Sequence, residues 1–326
     1  MPAFLGIDVA KATLECALIG PKTPRRTSVP NTPVGHRQLL AWLAKQHVAD
    51  VLACLEATGT YSDQIAQALH DASIPVSVVN PARIAAYAKS RLARNKTDPA
   101  DALLIAQFAQ SEQPPLWQPP APEMRELRAL VRHLDSLLAQ RQAERNRRAA
   151  GGHPEPVEQA LREHLAFLDK QIAAVQEQIN EHIGRHPELK REHDLLDSIT
   201  GIGTRTATRL LAETGGMGRF EDSRAVAAYA GLTPRRYQSG TSVRGKTRLS
   251  KVGNAGLRAA LYMPALVARQ HNQVLKAFGE RLAAAGKPKM AVIGAVMRKL
   301  LVLAYGVVKS GVAFDAGYGK RAQTAG

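Results

Sequence analysis

Four acidic residues in the first third of the chain stand where carboxylates could bind a metal ion. Asp8 ends the apolar run FLGID, and Glu56 ends a second apolar run, VLACLE. Asp98 and Asp101 are three residues apart, so on a helix they share one face. Such carboxylates bind hard divalent cations, which can activate a nucleophile for phosphoryl transfer. Alternatively, Asp98 caps a helix and Asp8 lies in a turn, but an Asp inside an apolar strand is costly unless it is paired or metal-bound.

A glycine-rich basic loop in the last third carries two serines, Ser239 and Ser242, that could act as nucleophiles. A serine hydroxyl is a weak nucleophile and needs activation. Basic side chains surround both serines in the sequence and could hold a scissile phosphate and stabilise developing charge; they are Arg235, Arg236, Arg244, Lys246 and Arg248. The alternative is a basic loop that contacts DNA and uses its serines only as spacers.

The same loop contains a competing motif. Residues 240–247, GTSVRGKT, fit the phosphate-binding pattern G-x-x-x-x-G-K-[ST]. That loop normally follows a buried strand, whereas the polar stretch PRRYQS precedes this one, and a helix after it would contain Gly253 and Gly256. We therefore disfavour an ATPase.

The histidines are scattered, and His182 and His186 share a helical face without a third ligand, so we expect them to be surface residues.

A helix–hairpin–helix pattern precedes this loop. The stretch LLDSITGIGTRTATRLL places Gly201 and Gly203 between two helical segments. Glycines in such a hairpin let backbone amides approach a phosphate, and the second helix presents its positive amino terminus. Arg205 and Arg209 follow directly and favour contact with nucleic acid, although a plain tight turn would have the same glycines.

The charge is concentrated in the last part of the chain. The 326 residues carry a net charge of +16, and residues 191–326 contribute 22 Lys and Arg against 8 Asp and Glu. Such a concentration indicates a polyanionic partner.

The sequence also bears on where the protein is found. The start of the chain is too charged for a signal peptide, and Arg298 and Lys299 interrupt the most apolar stretch. The chain has two cysteines. We expect a cytoplasmic bacterial protein with no membrane span and no disulfide framework, associated with the nucleoid when it acts.

Alternating apolar and amphipathic segments predict an α/β domain at the amino terminus. Strands are expected at 4–9, 14–19, 51–55 and 75–80, with helices at 35–45, 62–72 and from Thr97 onward. A proline cluster at 114–122 then suggests a domain exit. We therefore predict three parts: an α/β catalytic domain (1–112), a helical linker (113–190) and a mainly helical basic domain (191–326).

The linker carries a heptad pattern. Its apolar residues alternate at spacings of four and three; they are Leu161, Leu165, Leu168, Ile172, Val175 and Ile179. This pattern is typical of an antiparallel helical hairpin or of an intermolecular coiled coil. We favour a role in dimerisation or spacing over a plain buried helix pair.

Six segments together resemble a known family. GIDVAK, CLEATGTY and NKTDPADA resemble the DEDD set of a RuvC-like (RNase H-fold) nuclease domain. SITGIGTRTA, AGLTPRRYQSGTSVRGK and LRAALYMPALVA resemble the carboxyl-terminal domain of the DEDD transposases of bacterial insertion sequences, also called bridge-RNA-guided recombinases. The resemblance runs from about Phe4 to Asp315.

The resemblance implies an RNA-guided DNA recombinase. It makes Asp8, Glu56, Asp98 and Asp101 ligands of Mg²⁺, and Ser239 the nucleophile that forms a covalent phosphoserine link to DNA. It also implies a site shared between subunits of a dimer or tetramer, with a structured non-coding guide (bridge) RNA that pairs with donor and target DNA. Two alternatives stay open: a non-catalytic scaffold that binds nucleic acid, and a metal-dependent junction nuclease without a covalent intermediate.

Overall fold

The computed structural model describes residues 2–20, 23–48, 50–91, 98–235, 238–239, 243–244 and 248–316. For residues 60, 98, 99, 238, 239, 243 and 244 it describes the backbone alone. The chain forms two compact units, Met1–Pro119 and Pro120–Gly326. The division falls inside the predicted proline-rich exit, and the helices of the predicted linker belong to the second unit.

The first unit is built on a five-stranded mixed sheet. The strands are β1 (Ala3–Val9), β2 (Thr13–Ile19), β3 (Arg25–Pro30), β4 (Val51–Glu56) and β5 (Val76–Val79), in the spatial order β3-β2-β1-β4-β5. β2 is antiparallel to both of its neighbours, whereas β1, β4 and β5 are parallel. This order, with the second strand alone reversed, is that of RNase H-like domains and agrees with the predicted fold class.

Helices cover both faces of this sheet. On one face, α1 (Pro33–Ala44) and α2 (Thr60–Asp71) bury Leu39, Leu43, Ile65 and Leu69 against the strands. On the other face lie α3 (Pro81–Ser90) and α4 (Asp98–Glu112), whose Ile84, Ile105 and Phe108 form a second buried cluster with Phe4, Cys54 and Val79. The predicted strands and helices are thus present, and β3 and α3 are additional elements that the apolar pattern did not predict.

Gly6 lets α4 lie directly on β1. A Cβ atom at this position would come within 2.1 Å of the Ala102 carbonyl oxygen and 2.3 Å of the Ala106 amide nitrogen. Phe4, two residues earlier on the same face of the strand, belongs to the cluster that contains Ile105 and Phe108. The carboxyl-terminal half of α4 therefore lies over the start of β1, and its amino terminus points toward the end of β1.

Two long antiparallel helices open the second unit. They are α5 (Pro122–Ala149) and α6 (Glu155–Arg185). The heptad residues of α6 are buried within the chain, and those from Leu168 to Ile179 share a core cluster with Leu127, Val131 and Leu137 of α5. The seam therefore forms the hairpin alternative. The role in dimerisation or spacing that we favoured for this segment stays a prediction.

In the described part of the second unit, six further α-helices, a short 3-10 helix (Met217–Arg219) and a hairpin follow. The helices are α7 (Pro187–Asp197), α8 (Thr204–Thr214), α9 (Ser223–Tyr229), α10 (Ala255–His271), α11 (Gln273–Ala284) and α12 (Lys289–Ser310). By length and composition α12 could cross a membrane, whereas the sequence analysis expected no membrane span. However, 56% of its apolar window is buried, and Val296, Leu300, Leu301 and Ala304 join the core of the unit.

Candidate active site

Asp8 and Glu56 lie side by side at the carboxyl edge of the first-unit sheet. In the parallel pairing of β1 with β4, Gly6 is aligned with Cys54 and Ile7 with Leu55. Asp8 and Glu56 each follow by one residue, so both point to the face that α4 covers, on strands about 4.8 Å apart. Both residues are half-buried. The two strand-end acids predicted from the sequence are therefore adjacent in the fold.

A third acid, Glu15, extends this row across the sheet. The register of β1 with β2 places Glu15 directly opposite Asp8, and that of β2 with β3 places Ser28 opposite Glu15. The Ser28 hydroxyl donates a hydrogen bond to Glu15 Oε1. Like charges directly opposite each other on neighbouring strands are destabilising. Glu15 was not considered from the sequence, although the short turn between β1 and β2 fixes its pairing with Asp8.

Helix α4 brings the other two predicted acids to the same edge of the sheet. Asp98 is its first residue and Asp101 lies in its first turn. Because α4 is antiparallel to β1, this turn lies toward the end of the strand that carries Asp8. The side chain of Asp98 is outside the described part of the structure, and that of Asp101 is half-buried. Thr97, the predicted cap of this helix, is also outside the described residues.

The donor chemistry at this edge fits a hard divalent cation. Asp8, Glu56 and Asp101 offer only oxygen ligands, which Mg²⁺ prefers. Two residues after Glu56, the buried hydroxyl oxygen of Thr58 has no hydrogen-bond partner within the described part of the structure, so it is a polar atom that a bound ion or its water could satisfy. Among side chains that the structure describes, no three Asp, Glu, His or Cys groups are close enough to hold an ion by themselves. The complete quartet, which includes Asp98, stays a prediction.

The thiol next to this site is chemically inert. Cys54 precedes Glu56 by two residues on the same face of β4, and burial raises its pKa to about 12, with the Arg83 charge acting in the opposite direction. Burial, together with the Glu15 charge, also raises the pKa of Cys16 to about 12. Since the thiolate is the reactive form of cysteine, neither cysteine is a nucleophile at neutral pH.

The predicted nucleophile lies on a hairpin of the second unit. Strands β6 (Pro234–Arg235) and β9 (Arg248–Leu249) are antiparallel, and between them β7 (Gln238–Ser239) pairs with β8 (Val243–Arg244), aligning Ser239 with Val243. This paired backbone differs from the strand–loop–helix of an ATP-binding loop, so the disfavoured motif has the wrong surroundings. The predicted residues Arg236, Ser242 and Lys246 lie outside the described residues, as do the side chains of Ser239 and Arg244.

Two arginines stand directly opposite each other at the base of this hairpin. Arg235 of β6 is aligned with Arg248 of β9, and both are exposed. Like charges in this position repel each other unless an anion lies between or beside them. The pair is therefore suited to a phosphate group.

The predicted helix–hairpin–helix is formed by α7, residues 198–203 and α8. Gly201 has φ of +106°, and a Cβ there would lie 2.5 Å from the Ala268 Cβ, so the hairpin packs on α10. Gly203 and Arg205 are exposed at the start of α8. Arg209 differs from expectation. Its guanidinium forms two contacts of 3.0 and 3.1 Å with the Asp135 carboxylate of α5, so it joins two helices instead of facing a phosphate freely.

His182 is buried, whereas the sequence analysis predicted a surface residue. It is 1% exposed, and its Nε2 atom lies 2.8 Å from the Glu123 carbonyl oxygen of α5. The ring of His186 is nearby, at 4.7 Å between centroids. His182 therefore helps to join the two long helices of the second unit.

Comparison with known proteins decides the family. A model described as Transposase, for DEDD transposases of IS110 type, matches residues 5–150, and the model Transposase IS116/IS110/IS902 family matches residues 193–280. The Pilin gene-inverting protein of Moraxella bovis is 35% identical over 96% of this chain and 97% of its own length. This chain belongs to the IS110 family of DEDD transposases. All four predicted metal ligands of this transposase lie in the first matched range, and Ser239 lies in the second.

Further relatives span the transposase to different extents. The Pilin gene-inverting protein of Moraxella lacunata is 34% identical over 96% of the chain and 97% of its own length. The Transposase for insertion sequence element IS1111A of Coxiella burnetii is 28% identical over 61% of the chain and 60% of its own length. Among solved structures, Thermus thermophilus RuvC in complex with a Holliday junction aligns with 36% of this chain and 100% of its own, with a TM-score of 0.28 and 14% identity.

Proposed function

We propose that this transposase recombines DNA by metal-dependent phosphoryl transfer at the carboxyl edge of its first-unit sheet. The observation that carries the proposal is the strand register, because it sets Asp8 beside Glu56 on the face covered by the helix of Asp98 and Asp101. In this proposal the four carboxylates would hold Mg²⁺, whose charge would stabilise the negative charge of the scissile phosphate. The packing of α4 on Gly6 fixes the helical pair of acids relative to the strand pair.

We infer that Ser239 is the nucleophile. Its oxygen forms a bond to phosphorus while the bond from phosphorus to a deoxyribose oxygen breaks, and that oxygen leaves with a proton. Attack by the hydroxyl of the incoming strand then reverses the link and releases the serine. Support comes from the position of Ser239 on a hairpin whose base carries the exposed pair Arg235 and Arg248, which can bind the phosphate on either side of the reaction. Arg244 and Lys246 are proposed to assist them.

Partner recognition is assigned to the basic second unit. Between Ala255 and Ser310 there are nine Lys and Arg residues and a single acid, Glu280, a balance typical of surfaces that bind a nucleic-acid backbone. We propose that donor and target DNA and a structured guide RNA bind here, with Arg205 at the start of α8 as one contact. The names of the Moraxella relatives describe inversion of a gene, and exchange of strands between two DNA sites is the reaction class that we propose for this chain. A homo-oligomer would bring Ser239 of one subunit to the acids of another.

The proposal is tested by reconstitution with the full-length chain. Purified protein is incubated with RNA from the flanks of its element, Mg²⁺, and donor and target DNA, and denaturing gels detect a covalent protein–DNA adduct and exchanged strands. We expect Asp8→Asn to retain DNA binding and lose both products, Ser239→Ala to lose both, and Ser242→Ala to keep both. Asp71→Asn, an exposed acid at the end of α2, is the matched control and should behave as wild type.

The other outcomes identify the competing functions. Cleavage that survives Ser239→Ala would assign a junction nuclease that uses water in place of the serine. Binding without any reaction in the wild type, at all metal concentrations, would leave a non-catalytic scaffold. Products formed without RNA would remove the guide from the proposal.

A further inference from the structure

One asparagine side chain links the two loops that follow the acid-bearing strands. Asn31, the residue after β3, donates through Nδ2 to the Ala10 carbonyl oxygen at 2.9 Å and to the Tyr61 carbonyl oxygen at 3.1 Å. Ala10 lies two residues after Asp8, and Tyr61 lies in the first turn of α2, five residues after Glu56. A single amide group therefore connects the continuation of β1 with the continuation of β4.

A buried histidine fixes the orientation of this amide. His36 of α1 is 4% exposed, and its Nε2 atom lies 2.9 Å from Asn31 Oδ1. Burial lowers the pKa of His36, so the ring is neutral at pH 7. Because the amide oxygen can only accept, the neutral ring carries its proton on Nε2 and donates it. The Asn31 oxygen thus faces His36, and the two N–H groups face the two carbonyls.

The backbone ladder between β1 and β4 stops just before the two acids. The register of β1 with β4 ends at Ile7 and Leu55, one residue before Asp8 and Glu56. Asp8 remains paired with Glu15 of β2, and Glu56 with Val79 of β5. Between β1 and β4 themselves, the Asn31 side chain joins the segments that follow the two acids. Asn31 is itself anchored, because its backbone N–H donates to the Ala12 carbonyl oxygen at 2.9 Å in the turn between β1 and β2.

We propose that Asn31 is a positioning residue for the metal site, and that it sets the distance between the Asp8 and Glu56 carboxylates by tying their two loops together. His36 contributes indirectly, because its hydrogen bond to Asn31 Oδ1 keeps the Nδ2 group directed at the two carbonyl oxygens. This inference rests on the proposed function of Asp8 and Glu56 as metal ligands. Neither Asn31 nor His36 touches the ion or the DNA.

The chemistry of the contact explains why an amide is required. Both loop atoms are carbonyl oxygens, so they need a group with two donors, which the Asn side chain supplies. Asn31→Asp keeps the shape but places a carboxylate oxygen against the two carbonyls, which turns two hydrogen bonds into repulsion. Asn31→Ala removes the bridge without adding repulsion. His36→Gln keeps a donor of similar reach and is the conservative variant.

Binding of Mn²⁺ to the full-length protein tests the inference without any reaction. The free ion is counted by electron paramagnetic resonance, and the melting temperature of the metal-free protein is measured in parallel. We expect Asn31→Asp to raise the Mn²⁺ dissociation constant at least tenfold and Asn31→Ala to raise it less. His36→Gln should stay within about threefold of wild type, which is about half of the 1.4 kcal/mol that a tenfold change represents. A role in stability alone would lower the melting temperature and leave the dissociation constant of the folded protein unchanged.

A matched amide elsewhere in the unit provides the control. Gln46 donates to the Trp42 carbonyl oxygen at 2.9 Å at the opposite edge of the sheet, so Gln46→Glu also replaces an amide by a carboxylate, away from the acids. There the Arg25 guanidinium, which already donates to Gln46 Oε1, can pair with the new charge. It should bind Mn²⁺ as wild type does. The inference is refuted if folded Asn31→Asp and Asn31→Ala both bind Mn²⁺ within twofold of wild type while Asp8→Asn does not bind it. If wild type binds Mn²⁺ no better than Asp8→Asn, the metal site itself is wrong, and the inference is refuted with it.

Discussion

Replacing Gly6 by alanine should force α4 away from the sheet. The new Cβ would lie 2.1 Å from the Ala102 carbonyl oxygen and 2.3 Å from the Ala106 amide nitrogen, whereas ordinary contact begins at 3.4 Å. Both atoms belong to the backbone, so no side-chain rotation can relieve the overlap. The helix must therefore retreat by about 1 Å, a distance comparable to the adjustments that cores resist.

Gly6→Ala should lower both the stability of the first unit and the activity of the protein. Overpacking a core costs roughly 1–3 kcal/mol, and a clash with two backbone atoms places Gly6→Ala at the upper end of that range. For a unit of this size such a loss lowers the melting temperature by about 10 °C. Because α4 carries Asp98 and Asp101, the same displacement should weaken Mn²⁺ binding and lower the rate of strand exchange on the order of 100-fold.

Gly20→Ala is the matched control for this experiment. Among the residues that the structure describes, a Cβ at Gly20 would meet only the Ala3 Cβ, at 4.0 Å, so the substitution should leave both properties unchanged. Thermal unfolding of the metal-free protein and the Mn²⁺ dissociation constant are measured for both variants. If Gly6→Ala matches Gly20→Ala in both measurements, then α4 does not set the position of the acids and the reasoning fails.

Three further predictions concern packing and ionisation. Leu168→Ala, at a site 1% exposed in the helical hairpin, should lower the free energy of unfolding by about 2–5 kcal/mol, whereas Phe167→Ala, at a site 56% exposed, should change it by less than about 0.5 kcal/mol, as measured by denaturant titration. Burial raises the pKa of Glu192 above its usual value, so its charged form disfavours the fold; relative to Glu192→Gln, the wild type should gain stability as the pH falls through this raised pKa. Glu192→Gln, which keeps an acceptor for the Met217 N–H, should have an unfolding midpoint at pH 7 that is no lower than wild type. Finally, Cys16 and Cys54 should resist thiol reagents at pH 8 in the native state and react after unfolding, and stability should fall as the pH rises from 9 toward 12, because both pKa values are raised to about 12.

Elements with a strong apolar pattern could be predicted from the sequence. The runs at β1, β2, β4 and β5 are buried, and each strand was expected within a residue or two of its bounds. β3 was missed because, of its six residues, only Val29 is buried, so an edge strand of sequence RRTSVP shows no apolar alternation. The helices α3 and α11 were not predicted for the same reason, because each buries very few residues. α3 buries Ile84, and α11 buries Leu275 and Gly279.

The arrangement of the site depended on pairing that a single sequence does not contain. The sequence marked Asp8 and Glu56 as strand-end acids, but their adjacency follows from β1 lying next to β4, which is a non-local contact. Glu15 and Asn31 were missed for the same reason, since their partners become neighbours only when the sheet has formed. The heptad of α6 was recognised, but its spacing does not distinguish a partner in the same chain from one in another.

The most direct test of the central claim is anomalous X-ray diffraction from crystals of the protein soaked in Mn²⁺. The account predicts a manganese peak at the carboxyl edge of the first-unit sheet, about 2.0–2.3 Å from oxygen atoms of both Asp8 and Glu56, with a further ligand from the first turn of α4. Crystals of Asp8→Asn should lack this peak. A wild-type crystal with no manganese at this edge, or with the ion bound by residues of another region, would contradict the account.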